Sequence, residues 1–366
     1  MELKRDIYGD LLKWKQKSRK VLELKGARQT GKTFILDKFG RENYTVYIYI
    51  NMAQTTGQEF LACLDQAGKW EVGEPRPTDP IYRALKLFDP RFDDTTETLV
   101  VIDEIQESAR VYSLICQFSR DFKCCFVVTG SYLGKTMEKE YFLSDGDTVE
   151  LCMDTLSFEE FLEAFGKREL YETVDLYGQS PQNWYDELKS FYQIYCAIGG
   201  YPDVVNTYLE SRDLTDCERT LYQVIRIFIE ESSRYFTNVL SMNLFEQLFP
   251  AIAQLSVREK SGSGDIIDKL SELVYHEESN RVTKQNINYA VAWLYHSDII
   301  DFCEKTVECN PMATRLNARI YFRDLGVARY FLKKGGVRGR AADEYINENF
   351  VYLALLKRSE RIKEGK

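Results

Sequence analysis

The run Gly26-Ala27-Arg28-Gln29-Thr30-Gly31-Lys32-Thr33 constrains what this chain can fold into more than any other feature. Each fixed position has a physical reason. Backbone N–H groups converge on an anion only where the chain can turn tightly, and Gly26 and Gly31 permit that. Lys32 adds a cation at the same point, Thr33 adds a hydroxyl that can hold a divalent metal, and a helix starting there adds the positive end of its dipole. The flanks agree with this reading. Residues 21–24 form an apolar strand running into the loop, and Lys32-Thr33-Phe34-Ile35-Leu36 opens a helix that Gly40 can end. Strand, loop and helix together make a phosphate cradle. The expected ligand is ATP with Mg²⁺, bound by residues 26–33 and Phe34, with Lys32 neutralising the β- and γ-phosphates.

Three further strands follow the same logic. Residues 44–50 are β-branched and aromatic, residues 98–102 end in Asp103-Glu104, and residues 124–128 end in Thr129-Gly130-Ser131. Continuous apolar strands alternating with helical stretches predict a parallel sheet covered on both faces, with ligands at the strands' C-terminal ends. There Asp103, with Thr33, is expected to hold Mg²⁺, and Glu104 to orient and polarise the attacking water. Thr129 or Ser131 is a candidate for sensing the γ-phosphate or positioning that water. Arg28, Arg110 and Arg234 are candidates for the positive charge that phosphoryl transfer requires, and the sequence favours none of them.

Beyond residue 155 helical periodicity takes over, broken at Gly199-Gly200-Tyr201-Pro202 and by a turn or linker at Ser261-Gly262-Ser263-Gly264. A long helix is expected over 221–240. A helix beginning near Thr283 and two short strands, 299–302 and 320–322, predict a winged helix. Its candidate base-reading residues are Lys284, Gln285, Asn286 and Asn288. The charge balance opposes a DNA reading there, because residues 246–319 hold eight basic and eleven acidic side chains, net −3. A protein or interdomain contact is the alternative. The chain carries a net −9, yet residues 315–366 hold thirteen Lys or Arg against six Asp or Glu, net +7, leaving −16 for the first 314. The basic stretch Lys333-Lys334-Gly335-Gly336-Val337-Arg338-Gly339-Arg340 reads as a solvated loop or a contact for nucleic acid or an acidic partner.

Other chemistries find little support. Nine cysteines, scattered from Cys63 to Cys309 without a Cys-x-x-Cys pair, argue against a disulfide framework and a zinc site, and buried thiols are expected. The two histidines, His276 and His296, have no partner cluster. No apolar run approaches the ~20 residues needed to span a bilayer, and the charged start lacks a signal peptide's apolar core, so a cytoplasmic location is expected.

The motifs taken in order resemble those of prokaryotic AAA-type ATPases of the archaeal-ATPase-like group, which carry a C-terminal domain of unknown function. The likeness runs from the glycine loop through Val101-Ile102-Asp103-Glu104-Ile105-Gln106, Thr129-Gly130-Ser131 and Leu156-Ser157-Phe158-Glu159-Glu160-Phe161-Leu162. It continues with Gly199-Gly200-Tyr201-Pro202, Tyr321-Phe322-Arg323-Asp324-Leu325-Gly326 and Glu348-Asn349-Phe350-Val351. The resemblance implies an α/β P-loop ATPase domain (1–155), a helical connector (156–245), a winged-helix-like domain (246–320) and a basic segment (321–366) that starts a truncated nuclease-like domain. That last fold normally continues with an acidic pair and a Glu-x-Lys signature, so no nuclease activity is expected. Where similar proteins often show Gly-Arg this chain has Gly146-Asp147, so the resemblance carries no arginine role there. A hydrolase coupled to a partner is the expected function. A nucleotide-gated switch or DNA-binding module with little turnover is the alternative, and the oligomeric state stays open.

Overall fold

The computed structural model describes residues 2–68, 79–130, 146–235, 242–258, 265–275, 283–304 and 318–364, with side chains left out at 231–235, 242–243, 275, 304 and 360–364. Ser131, the linker 261–264, His276, Cys309 and the side chain of Arg234 therefore lie outside the described residues. Two compact units divide the chain: residues 6–153, and residues 1–5 together with 154–366.

The first unit runs α1 (Ile7–Lys17), β1 (Val21–Lys25), α2 (Lys32–Asn43), β2 (Val46–Asn51), α3 (Thr55–Ala67), α4 (Pro80–Phe88), β3 (Thr98–Asp103), α5 (Ala109–Tyr112), α6 (Ile115–Asp121), β4 (Cys125–Thr129) and β5 (Thr148–Cys152). Its five strands are all parallel, in the order β2-β3-β4-β1-β5. Side chains on a strand alternate between faces, and the two cores divide accordingly. Ile48, Ile50, Val100, Ile102, Phe126 and Val128 pack with α3, α4 and α6. Leu22, Leu24, Leu99, Val101, Val127 and Leu151 pack with α1 and α2 on the other face. This two-sided burial explains why β3 reads as an unbroken apolar run. The fifth strand is an addition to the four that the sequence predicts. It is an edge strand with only Leu151 fully buried, and its Glu150 is held by Lys25 of β1 at 2.9 Å, so its signal is mixed.

The second unit contains α7 (Phe158–Ala164), α8 (Arg168–Thr173), α9 (Gln182–Ile198), α10 (Pro202–Ser211), α11 (Leu214–Tyr235), α12 (Met242–Arg258), α13 (Ile266–Tyr275), α14 (Lys284–His296), β6 (Ile300–Glu304), β7 (Ala318–Phe322), α15 (Leu325–Lys334) and α16 (Arg340–Glu364). Three helices followed by an antiparallel strand pair give α12 to β7 the element order of a winged helix. Thr283 caps α14 through a reciprocal box with Asn286. Of the helix expected over 221–240, residues 221–235 belong to α11, which begins seven residues earlier, and residues 236–240 lie outside the described residues.

The motifs of this unit interlock. Asp324 caps α15 by accepting from Val327 N–H at 3.0 Å, and it also accepts from Gly200 N–H at 2.8 Å. Glycine is required at position 199, where φ is +74° and a Cβ would lie 2.2 Å from Asp324 Oδ1. Gly326 passes as closely to the Ile198 carbonyl, with 2.3 Å to a would-be Cβ. Asn349 of α16 bonds both backbone groups of Phe322, accepting from its N–H at 2.9 Å and donating to its carbonyl at 2.8 Å. Glu348 accepts from Tyr321 at 2.6 Å and pairs with Arg319. Phe350 packs its ring on Phe158 and Tyr192.

Three expected domain edges differ from these contacts. Residues 1–5 join the second unit, where Arg5 pairs with buried Glu160 at 3.3 Å and Lys4 with Glu163 at 2.7 Å. The edges expected at 245/246 and 320/321 fall inside α12 and β7. Of the 333–340 stretch, residues 335–339 are an exposed or half-buried connection between helices, as the loop reading expects, while Lys333 and Lys334 end α15 and Arg340 starts α16, with Lys333 paired to Glu218 and Arg340 to Glu344. No described cysteine is in a disulfide. Cys124, Cys196 and Cys217 are buried as expected, while Cys303 is exposed on β6. Among the described residues no helix is long and apolar enough to cross a membrane.

Asn349→Ala is expected to leave the Phe322 N–H and carbonyl buried without partners, a loss of about 2–5 kcal/mol. Urea denaturation checks this as a lowered midpoint.

Candidate functional site

The glycine loop joins β1 to α2 and takes its shape from three residues with positive φ: Gly26 at +137°, Gln29 at +65° and Gly31 at +95°. Gly26 passes against the end of β5, where a Cβ would lie 2.2 Å from the Met153 carbonyl oxygen. Thr30 is fully buried and donates to the Ala27 carbonyl at 2.9 Å, closing the loop on itself. Lys32 sits under the loop, only 8% exposed, with Nζ donating to the carbonyls of Gly26 and Ala27 at 2.7 and 2.8 Å. Phe34, on the first turn of α2, is 57% exposed.

β3 brings its acids to this loop. The Thr33 hydroxyl donates to Asp103 Oδ2 at 3.0 Å, across 70 positions of sequence. Asp103 is buried, which pushes its carboxyl pKa up. A hydrogen bond from Tyr49 opposes that shift and the nearby Glu104 adds to it. Asp103 Oδ1 accepts from the Glu104 N–H at 2.9 Å, and Oδ2 accepts from the Tyr49 hydroxyl at 2.6 Å. Glu104 has φ +51° and ψ +45°, a left-handed conformation that costs a non-glycine residue about 1–2 kcal/mol. Its carboxylate is held by Gln106 at 2.5 Å and by Arg28 at 3.4 Å.

The remaining candidates divide. Thr129 lies at the end of β4 beside the end of β1, fully buried, with its hydroxyl donating to the Leu24 carbonyl at 2.8 Å. Arg28 belongs to the loop. Arg110 is on α5 and pairs with Asp65 of α3 at 2.6 Å. Asp147 forms a two-bonded pair with Arg120 at 2.7 and 3.0 Å. In the second unit Lys284 is held by Asp268 at 2.5 Å and Asp265 at 3.4 Å, Asn286 is engaged in the cap of α14, and Asn288 is exposed.

Tyr49, Asn51 and Gln106 were not legible as site residues. Period-2 alternation puts Tyr47, Tyr49 and Asn51 on one face of β2, but only the register with β3, which pairs Asn51 with Asp103, sets Tyr49 beside the aspartate. A cleft of about 560 Å³ lies along the open edge of β2 with Tyr49 in its wall, and no residue of the glycine loop lines it.

The donors at Thr33 and Asp103 are oxygens, the hard ligands that Mg²⁺ selects when phosphates and water complete its shell. Among the described residues there is no cluster of three or more His, Cys, Asp or Glu that could hold a metal ion.

Residues 18–162 match the model of an AAA domain, and residues 189–337 match that of a domain of unknown function. Among solved structures the chain is similar to Drosophila ORC bound to DNA (16% identity, 92% of this chain and 95% of that one, TM-score 0.31). It is also similar to the Aeropyrum pernix ORC2 protein in ADPNP–ADP complexes (15%, 95% and 96%, TM-score 0.38). A third is the Thermotoga maritima RuvB Holliday junction branch migration motor (13%, 82% and 89%, TM-score 0.35). No curated protein matches. With TM-scores this low, nothing about partners passes from those proteins to this chain.

Gly26→Ala is expected to destabilise the first unit by about 2–4 kcal/mol, through the clash with Met153 and the positive φ, and to abolish binding at the loop. Thermal melting and titration with a fluorescent ATP analogue check the two parts.

Proposed function

From the premise that the chain is an AAA-type P-loop protein carrying a C-terminal domain of unknown function, we propose that it binds and hydrolyses ATP with Mg²⁺ and couples turnover to a partner. The observation that carries the reading is the meeting of Thr33 and Asp103 at 3.0 Å with Glu104 adjacent, which brings phosphate cradle, metal ligands and a base to one strand end.

In this reading the backbone N–H groups of residues 26–33 and the first turn of α2, including Phe34, surround the phosphates. Lys32 exchanges the Gly26 and Ala27 carbonyls for β- and γ-phosphate oxygens. Thr33 and Asp103 would hold Mg²⁺, which when bound offsets the charge on those phosphates. Glu104 accepts a proton from water as the water oxygen bonds to the γ-phosphorus. The bond from that phosphorus to the bridging oxygen breaks, and ADP leaves with the electron pair. Thr129 fixes the end of β4 against β1, next to where the γ-phosphate would lie. Arg28, already near Glu104, is the described arginine best placed to meet charge developing on the transferred group.

The first unit is the ATPase domain of this reading, followed by a helical connector and a winged-helix-like part that meets the partner. The pairing of Lys284 with two aspartates favours a protein partner there over DNA. A cytoplasmic location goes with this reading. One observation favours a second reading, a nucleotide-gated switch: the Glu104 carboxylate is engaged by Gln106 and Arg28, and must be released before it can act as a base.

Steady-state ATPase assays with Mg²⁺, with and without DNA, test these readings. Lys32→Ala is expected to lose nucleotide binding and turnover together. Glu104→Gln is expected to keep ATP affinity within about threefold while kcat falls about 100-fold or more. ATP binding without turnover in the unmodified chain would replace the hydrolase with the switch, and stimulation by DNA would overturn the choice of a protein partner.

A further inference from the structure

Asp103 is held from a direction that the phosphate-loop pattern does not supply. Its Oδ2 accepts two hydroxyls, Thr33 at 3.0 Å and Tyr49 at 2.6 Å, and only the first belongs to the glycine loop. Tyr49 reaches it from the neighbouring strand. β2 and β3 pair Tyr49 with Val101 and Asn51 with Asp103, so Tyr49 and Asp103 share a face as diagonal neighbours, a separation that an aromatic side chain can bridge.

The direction of the Tyr49 bond is fixed by a second residue. Asn51 Oδ1 accepts from the Ala53 N–H at 3.0 Å, and a backbone N–H can only donate, so the Asn51 amide is turned with Nδ2 toward Tyr49. Nδ2 donates to the Tyr49 oxygen at 3.2 Å. The phenol's single proton is thus left for Asp103. Thr56 anchors the same turn, its hydroxyl accepting from the Asn51 N–H at 3.0 Å. The result is a one-way chain from the β2–α3 turn through Asn51 and Tyr49 to the carboxylate.

We propose that Tyr49, oriented by Asn51, is a positioning residue for Asp103, holding the carboxylate plane in place while the Thr33 hydroxyl changes partner from Asp103 to a metal ion. This rests on the reading of Thr33 and Asp103 as the Mg²⁺ ligands. Tyr49 touches neither nucleotide nor metal. Without its bond, Oδ2 would lose its last protein donor when Thr33 turns away, and the carboxylate would be free to rotate about the Glu104 N–H bond on Oδ1. Partners of this outer kind set metal affinity, and their loss costs about 10- to 100-fold.

The test is binding of a fluorescent ATP analogue to the full chain across a magnesium titration, with EDTA as the metal-free point. Tyr49→Phe removes one oxygen and keeps the ring. It is expected to raise the half-saturating Mg²⁺ concentration about 10-fold or more while affinity in EDTA stays within about twofold. Asn51→Leu is expected to move the midpoint in the same direction by less. In the Tyr49→Phe background it should add nothing, because the two residues act in series. A lowered melting temperature with an unmoved magnesium midpoint would make Tyr49 a core residue only and overturn the proposal, as would additive effects of the two substitutions. Failure of the unmodified chain to bind the analogue would instead remove the nucleotide-site reading, and binding indifferent to magnesium would remove the reading of Thr33 and Asp103 as Mg²⁺ ligands on which the proposal stands.

Discussion

A carboxylate at the end of a strand covered on both faces is costly unless donors surround it, and Asp103 is such a group. Burying an unpaired charge costs several kcal/mol, so the first unit can place an acid there only by bringing donors to it. The three that do so come from three elements: Thr33 from the start of α2, Tyr49 from β2, and the backbone of Glu104 from the turn after β3. Satisfying one charge therefore fixes the glycine loop against the sheet, the edge strand against its neighbour, and the position of the next acid. The unusual backbone of Glu104 follows from this, since its N–H turns back onto the preceding side chain while its own carboxylate is drawn to Gln106 and Arg28.

The legible part of this site is the part whose geometry is local. Gly26, Gly31, Lys32 and Thr33 are spaced by the loop they form, and Asp103-Glu104 closes an apolar run, so both could be read without knowing what lies beside them. Tyr49 could not. Its tyrosine is ordinary strand composition, and its role depends on β2 pairing with β3 in one register, where a slip of one residue would turn it to the opposite face. The same limit hid β5, where Leu151 is the one buried residue and Glu150 finds its partner, Lys25, on the neighbouring β1.

In the second unit the sequence marked the right residues and left their connections unseen. Gly199-Gly200 reads as a helix break, and it is one, but the reason for glycine is close approach: at 199 of Asp324, from more than a hundred positions away, and at 200 of the Leu156 backbone. Asp324 in turn caps α15 while Gly326 packs on the end of α9, so two motifs that look independent are the two halves of one contact. Neither needs a catalytic explanation, because each half is constrained by the other.

The same argument bears on Glu348-Asn349-Phe350-Val351. A motif at the start of a separate fold would have its polar groups satisfied by residues still to come. Here Asn349 gives both ends of its amide to the backbone of Phe322, Glu348 takes Arg319 and Tyr321, and Phe350 enters the ring cluster of Phe158 and Tyr192. All of these partners precede it in sequence and belong to the same compact unit. Each polar group that residues 340–364 bury in this way raises the cost of detaching α16, since leaving it would expose unpaired backbone on β7. The helix is bound to the strand pair by the chemistry of its own motif, and the boundary that the resemblance implies between them, at 320/321, cuts through β7.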